Sequence, residues 1–379
     1  MIYNDFKGIK LSALGMGCMR FPCLDGDNNK VDVETTKRMV AYAIEQGINY
    51  FDTAWIYHGG KSECVIGDIL SEYPRESFYL ADKFPGFEPY MMENPKELFE
   101  TQLERCRVDY FDFYLFHNVC ENNIDGFLDE KNGVFKYLVE QKRAGRIKHL
   151  GFSTHGSLST IKRFLDVCGD ELEFCQIQIN WLDWKRQNAK AKVELVASYG
   201  IPVWVMEPVR GGRIAKLEPE YEARLKALRP DATIPEWAFR FLQSIPEVKM
   251  TLSGMSNFEQ LRENIATYER TDKLTEDEMA VLFEIADAMI AKASIPCTSC
   301  RYCTDHCVQS LDIPRLIELY NERVYSSTEF LAALGLDAAD ESKHPSACIG
   351  CRACEQVCPQ GIKISEMMRD FADRLSKNA

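Results

Sequence analysis

No run of apolar residues in this 379-residue chain approaches the roughly 20 that a bilayer-spanning helix needs, which argues against membrane insertion. The first ten residues lack the apolar core of a secretory signal, and the expectation is a cytoplasmic protein. Cationic charge is also short: 45 Lys+Arg stand against 58 Asp+Glu, a formal net charge of -13. Such a chain repels phosphate backbones, and nucleic acid is not an expected partner. There is no low-complexity tract, and no internal repeat beyond a doubled run of cysteines near the C-terminus. A doubly wound dinucleotide fingerprint is missing too, because Gly15-Met16-Gly17 has no third glycine and no helix opens behind it.

What the chain has in quantity is cysteine, 15 residues in all. In a reducing compartment that number argues for metal or redox chemistry before disulfides. Seven of them (Cys18, Cys23, Cys64, Cys106, Cys120, Cys168 and Cys175) are scattered and read as small buried hydrophobes. The other eight form two runs of spacing C-x2-C-x2-C-x3-C. The first is Cys297, Cys300, Cys303 and Cys307, and the second is Cys348, Cys351, Cys354 and Cys358 with Pro359 behind it. Val308 takes the equivalent place in the first run.

Three closely spaced thiolates wrap one face of an iron–sulfur cubane, and the fourth, set off by a longer step, reaches the other cluster. The expected ligands of one [4Fe–4S] cluster are therefore Cys297, Cys300, Cys303 and Cys358, and of the second Cys348, Cys351, Cys354 and Cys307. Structural zinc, which prefers two separated pairs, and a disulfide framework are the lesser alternatives. Between the runs, 313–320 and 328–336 read as helical. The module, about residues 291–379, resembles the α-helical dicluster ferredoxin domains of fumarate reductase iron–sulfur subunits and heterodisulfide reductases.

Ahead of it, short β-branched or aromatic segments alternate with amphipathic ones. Strands are expected at 14–19, 49–54, 78–84, 112–117, 148–154, 174–180, 202–208 and 249–255, each followed by a helix. Eight such units predict an α/β fold of the (β/α)8 TIM barrel type. A helix over 275–293 closes it, and Ile295-Pro296 breaks the pattern. The expected organisation is a barrel over 1–290 and a small, mainly helical dicluster domain over 291–379.

Parallel barrels carry their chemistry at the C-terminal ends of the strands. Asp52 ends the second expected strand, Tyr57 lies in the loop after it, Lys83 ends the third and His117 the fourth. One at a time, these read as a helix cap or satisfied rim residues; together they resemble the tetrad of the aldo-keto reductase family. The resemblance spans about residues 1–270. It includes Asp52-Thr53-Ala54, Tyr57 and Ser62-Glu63, and, after the last strand, Gly254, Ser256, Gln260, Glu263 and Asn264.

The resemblance implies an NADP(H)-dependent oxidoreductase, with NAD as the alternative because no Lys/Arg pair marks a 2′-phosphate site. Tyr57 would be the proton donor to a carbonyl oxygen, Lys83 the cation favouring its phenolate, Asp52 the partner of Lys83, and His117 a second donor to the substrate. Ser153 and Gln176 would hold the nicotinamide carboxamide, although Thr154 replaces the usual asparagine, and Met206 replaces a stacking aromatic. Ser256, Gln260, Glu263 and Asn264 would hold the adenosine end, where Ser256 and Glu259 also fit a capping box.

Arg210-Gly211-Gly212-Arg213, in an insertion over 208–234, reads as a mobile flap over the pyrophosphate or as a plain surface loop. Phe84, Phe87 and Tyr90, around 85–95, are candidates for the substrate mouth or for a surface staple. The leading function is thus reduction of a small carbonyl, or oxidation of an alcohol, coupled to electron transfer through two clusters. A ferredoxin or flavoprotein would be the electron partner. The alternative is an electron-transfer or redox-sensing protein whose barrel binds nucleotide with little turnover.

Overall fold

The computed structural model describes residues 1–297, 300–325, 330–337 and 340–376. Backbone contacts group the chain into two units: Met1–Val209 with Leu228–Met279, and Arg210–Ala227 with Ala280–Ala379. Residues 210–227 and 280–290, assigned by sequence to the first domain, thus group with the second unit.

The first unit opens with an antiparallel hairpin, β1 (Tyr3–Phe6) and β2 (Ile9–Ser12), which sequence reading missed. Eight further strands follow: β3 (Leu14–Gly17), β4 (Tyr50–Asp52), β5 (Tyr79–Phe84), β6 (Phe111–Val119), β7 (Ile147–Thr154), β8 (Phe174–Gln178), β9 (Val203–Met206) and β10 (Val248–Ser253). They close into a parallel barrel in sequence order, with β10 beside β3. Each falls on one of the eight segments read from the sequence.

Aromatic side chains fill the barrel. The Phe113 ring lies 5.0 Å from Tyr50, 5.2 Å from Phe174 and 6.1 Å from Trp204. Phe6 of the hairpin stands 5.7 Å from Phe113 and 5.0 Å from Trp204, and so packs into the same cluster. Each such buried side chain contributes about 1.5–3 kcal/mol. Gly15 is part of this packing, because a Cβ there would stand 2.7 Å from Leu252 Cδ2. Its role is close strand packing rather than nucleotide binding. Of the seven scattered cysteines, five are buried; Cys23 is half-buried and Cys64 is exposed, so the core reading fails at Cys64.

The second unit is helical. Its core joins Leu311, Ile313, Leu316 and Ile317 to Met367, Met368 and Phe371. The expected helices appear as Ile313–Tyr325 and Phe330–Asp337; residues 328–329 of the expected span lie outside the described residues. The two cysteine runs are alike in conformation as well as spacing. Arg301 and Arg352, each just after the second cysteine of its run, both adopt left-handed backbone, at φ 65° and 60°, before a single helical turn. That turn curls each run back on itself, so its thiols can face one point. Among the described residues, no helix is long and apolar enough to cross a membrane.

Candidate active site and cluster sites

Strand register sets the first site. Asp52 pairs with Ala81, and Lys83, two residues further along β5, shares the face of Ala81 one pleat on. The buried Lys83 Nζ then donates to Asp52 Oδ1 at 2.6 Å, to the carbonyl of Thr53 at 2.7 Å and to Tyr57 Oη at 3.2 Å. An ammonium has three hydrogens and no acceptor. All three are spent here, so Tyr57 Oη is the acceptor of its contact and the phenolic hydrogen is free to point elsewhere. His117 closes the site, its ring 6.0 Å from that of Tyr57 and perpendicular to it. The structure thus brings together all four residues singled out from three strands and the loop after β4.

The electrostatics follow from burial. Burial lowers the Lys83 pKa, but Asp52 and then Tyr57 outweigh it and hold the ammonium above its ordinary value. Burial raises Asp52, with Lys83 pulling the other way. Tyr57 is raised by burial, and Lys83 offsets this only in part. The balance at Tyr57 lies on the side of the neutral phenol. Burial, followed by Lys83 and His155, drives His117 well below its ordinary value, leaving a neutral imidazole.

At the mouth the three aromatics separate. Phe87 packs 5.0 Å from His117, Phe84 belongs to the core against Phe127, and Tyr90 is exposed.

On the nicotinamide side, Ser153 Oγ accepts from the backbone N–H of Asn118 at 2.8 Å. The Thr154 hydroxyl is committed to the Val119 carbonyl and the Gly156 N–H. Gln176 Oε1 and both polar side-chain atoms of Asn118 are buried without a protein partner. Asn118 was not singled out from sequence. It sits at φ 55° where the β6–β7 register shifts between Phe116 and Val119, a bulge of the kind that re-aims side chains beside active sites. An asparagine directly after the strand-end histidine was the available signal, since asparagine tolerates left-handed backbone. Buried orphan amides suit a carboxamide, which both donates and accepts.

At the other end, the helix Phe258–Thr267 is capped by Asn257, not Ser256. Ser256 instead donates to the Arg20 carbonyl and, through its N–H, to Gln260 Oε1. Glu263 is exposed, whereas Asn264 is buried and donates to Ser253 Oγ. The guanidinium groups of Arg38 and Arg262 lie 5.9 and 5.3 Å from the Phe258 ring. These cations come from distant positions and escape a search for a local basic pair. In the second unit, Arg210 is buried in an ion pair with Glu322, whereas Gly212 and Arg213 of the same segment are exposed.

The cysteines surround two separate cavities. Cys297, Cys300, Cys303 and Cys358 line one of about 310 Å³, and Cys307, Cys348, Cys351 and Cys354 line the other, about 350 Å³. Each draws three thiols from one run and the fourth from the other. Among the described residues, no three His, Cys, Asp or Glu side chains converge as a single metal ion would require. The lining of each cavity matches one of the two cysteine sets expected from the spacing.

The aldo/keto reductase family model matches residues 13–287, and a 4Fe-4S dicluster domain model matches 296–362. Among curated relatives, a probable aldo-keto reductase 1 of Glycine max is 27% identical over 313 residues, 73% of this chain and 86% of the relative. The NADH-specific methylglyoxal reductase of Escherichia coli is 25% identical over 328 residues, 74% of this chain and 96% of the relative. Among solved structures, the aldo-keto reductase AKR11C1 from Bacillus halodurans matches with a TM-score of 0.59 at 25% identity, covering 75% of this chain and 96% of that one. The chain therefore belongs to the aldo/keto reductase family, its barrel followed by a 4Fe-4S dicluster domain.

Proposed function

We propose that the barrel reduces a small carbonyl compound with NAD(P)H, or oxidises the corresponding alcohol, with Tyr57 as general acid and base. The observation that carries this reading is the complete use of the Lys83 hydrogens on Asp52, Thr53 and Tyr57, which leaves the Tyr57 proton for a substrate. A carbonyl oxygen held between Tyr57 and His117 takes that proton as it becomes an alkoxide. Lys83 stabilises the phenolate left behind, and Asp52 fixes Lys83. His117, neutral, donates one N–H and orients the oxygen. Nicotinamide, when bound, supplies the hydride.

Gln176 and Asn118 would hold its carboxamide, with Ser153 positioning Asn118. Ser256, Gln260, Glu263 and Asn264 would border the adenosine, and Arg38 and Arg262 are the cations available to a 2′-phosphate.

In the second domain, Cys297, Cys300, Cys303 and Cys358 would hold one [4Fe–4S] cluster, and Cys348, Cys351, Cys354 and Cys307 the other. Such clusters supply single-electron steps that hydride transfer lacks, and a ferredoxin or flavoprotein would be the electron partner. The proposed boundary of the barrel remains near residue 290.

The test is anaerobic. Purified protein is mixed with NADPH or NADH and a panel of small aldehydes, including the methylglyoxal named for the Escherichia coli relative, while cofactor and cluster absorbance are followed separately. Cofactor consumption that depends on the aldehyde supports the reading. No consumption with any carbonyl or alcohol favours the nucleotide-binding electron-transfer alternative.

A further inference from the structure

Behind Lys83, on the outer side of β5, two acids are buried together. Asp82 and Glu63 are both fully inaccessible. Glu63 comes from the helix Ser62–Leu70, which lies so close to the helix Pro95–Cys106 that a Cβ on Gly67 would stand 2.6 Å from the Arg105 carbonyl oxygen. This approach lets Gln102 Nε2 donate to Glu63 Oε1 at 2.9 Å and Arg105 Nη1 to Glu63 Oε2 at 3.0 Å.

The network grips Lys83 by its backbone. Asp82 Oδ1 accepts from the Lys83 N–H at 2.8 Å, and Gln102 Nε2 donates to the Lys83 carbonyl at 3.0 Å. Tyr114 Oη, donating to Gln102 Oε1, fixes the orientation of that amide. Cys106 Sγ stands 3.8 Å from Asp82 Oδ2.

Glu63 adds to burial in raising the Asp82 carboxyl, so the two acids oppose each other's ionisation. Two fully buried acids with one ion-paired guanidinium favour keeping one proton, because like charges repel strongly away from water. The charged and titratable groups facing the pair are Lys83 on the strand, Asp52 beyond it, Arg105 and Cys106 on one helix, and Tyr114 on β6. Among the described residues, Arg105 is the one cation paired with Glu63, and it is partly exposed. One proton on the pair makes the set of Asp82, Glu63 and Arg105 neutral.

We propose that Asp82 and Glu63 share one proton and act together as positioning residues for Lys83, fixing its backbone without setting a second anion beside its ammonium. This rests on the Tyr57–Lys83 reading above. Burial first, and Glu63 second, pushes the Asp82 carboxyl well above the ordinary range, in keeping with a neutral acid there. An ionised Asp82 would compete with Tyr57 for the field of Lys83 and hold the phenol proton more tightly.

The test combines infrared spectroscopy with kinetics on the full chain. Wild type at pH 7 is expected to show the carbonyl stretch of a buried protonated carboxyl, shifted in D2O and lost in Asp82→Asn. Asp82→Ala lowers kcat by about tenfold through misplacement of Lys83. Asp82→Asn, which keeps an acceptor for the Lys83 N–H and a donor toward Glu63, restores most of that loss and leaves the alkaline limb of the pH–rate profile in place. Absence of the infrared band in wild type, or an alkaline limb that moves down in Asp82→Asn, shows an anionic Asp82 and overturns the proposal; so does Asn performing as poorly as Ala. Should no carbonyl be turned over, the function proposed above fails, while the infrared band still decides whether the proton is shared.

Discussion

Lys83 Nζ lies 3.2 Å from Tyr57 Oη and is the donor of that contact, its other two hydrogens being held by Asp52 and the Thr53 carbonyl. The relationship orders the chemistry of the site. Three contacts hold the ammonium in place, and the phenol is not the donor to it.

The pH dependence follows with a definite sign. The proposed mechanism needs Tyr57 protonated for reduction, and burial sets its pKa above the ordinary tyrosine value of about 10. Carbonyl reduction should hold through the neutral and mildly alkaline range and decline only above that value, whereas alcohol oxidation should climb over the same interval. Lys83→Met removes the group that lowers the Tyr57 pKa, so the limb should move further up and oxidation should fall by about 10²-fold. Steady-state rates in both directions across pH check this. A reductive limb near neutral pH would contradict it.

The cluster cavities give a crossed pattern to test. Anaerobic protein should hold about eight irons. Cys307→Ser should perturb the cluster of Cys348, Cys351 and Cys354, and Cys358→Ser that of Cys297, Cys300 and Cys303, as the lining of the two cavities pairs them. Electron paramagnetic resonance of each reduced variant distinguishes the clusters. If each substitution disturbed only the cluster of its own run, the sites would be two independent ones.

Stability at acid pH should depend on Glu173. It accepts from His149 at 2.6 Å and pairs with Lys142 at 2.8 Å and Lys7 at 3.1 Å. Burial opposes its charge, but these three partners bring it down to a pKa of about 2. A lowered carboxylate pKa contributes stability that is complete above the unfolded value, near 4.3, and is lost as pH falls toward the folded value. Wild type should therefore exceed Glu173→Gln by about 2 kcal/mol at pH 6, a lead that shrinks between about pH 4.5 and 2. Urea unfolding of both proteins across that range measures the difference; a lead independent of pH would refute the assignment.

Much of this was legible in the sequence, for physical reasons. Buried parallel strands are short apolar runs, and those runs mark β3 to β10. The tetrad residues stand out as polar groups at the ends of such runs. The cysteine spacing is set by cluster geometry, and the left-handed Arg301 and Arg352 repeat it in conformation.

What escaped reading depends on contacts between distant positions. The hairpin β1–β2 is half exposed, burying only Phe6, Leu11 and Ser12, and so offers no apolar run like those of the barrel strands. Asn118 matters because a bulge re-aims it, and register shifts leave no trace in composition. The balance between burial and Lys83 at Tyr57 is likewise a matter of depth, and there burial won. Asp82 was not singled out, because its role depends on strand alternation that turns its side chain away from that of Lys83, toward Cys106 Sγ at 3.8 Å.

The central claim is that Tyr57 gives the proton while its neighbours only prepare it, and Tyr57→Phe tests it most directly. The substitution keeps the ring and removes only the hydroxyl. Single-turnover oxidation of bound NADPH by an aldehyde that wild type reduces should slow by about 10²–10⁴-fold, with nucleotide binding by fluorescence titration unchanged. Turnover close to wild type, with cofactor bound normally, would contradict the account and move the acid to His117.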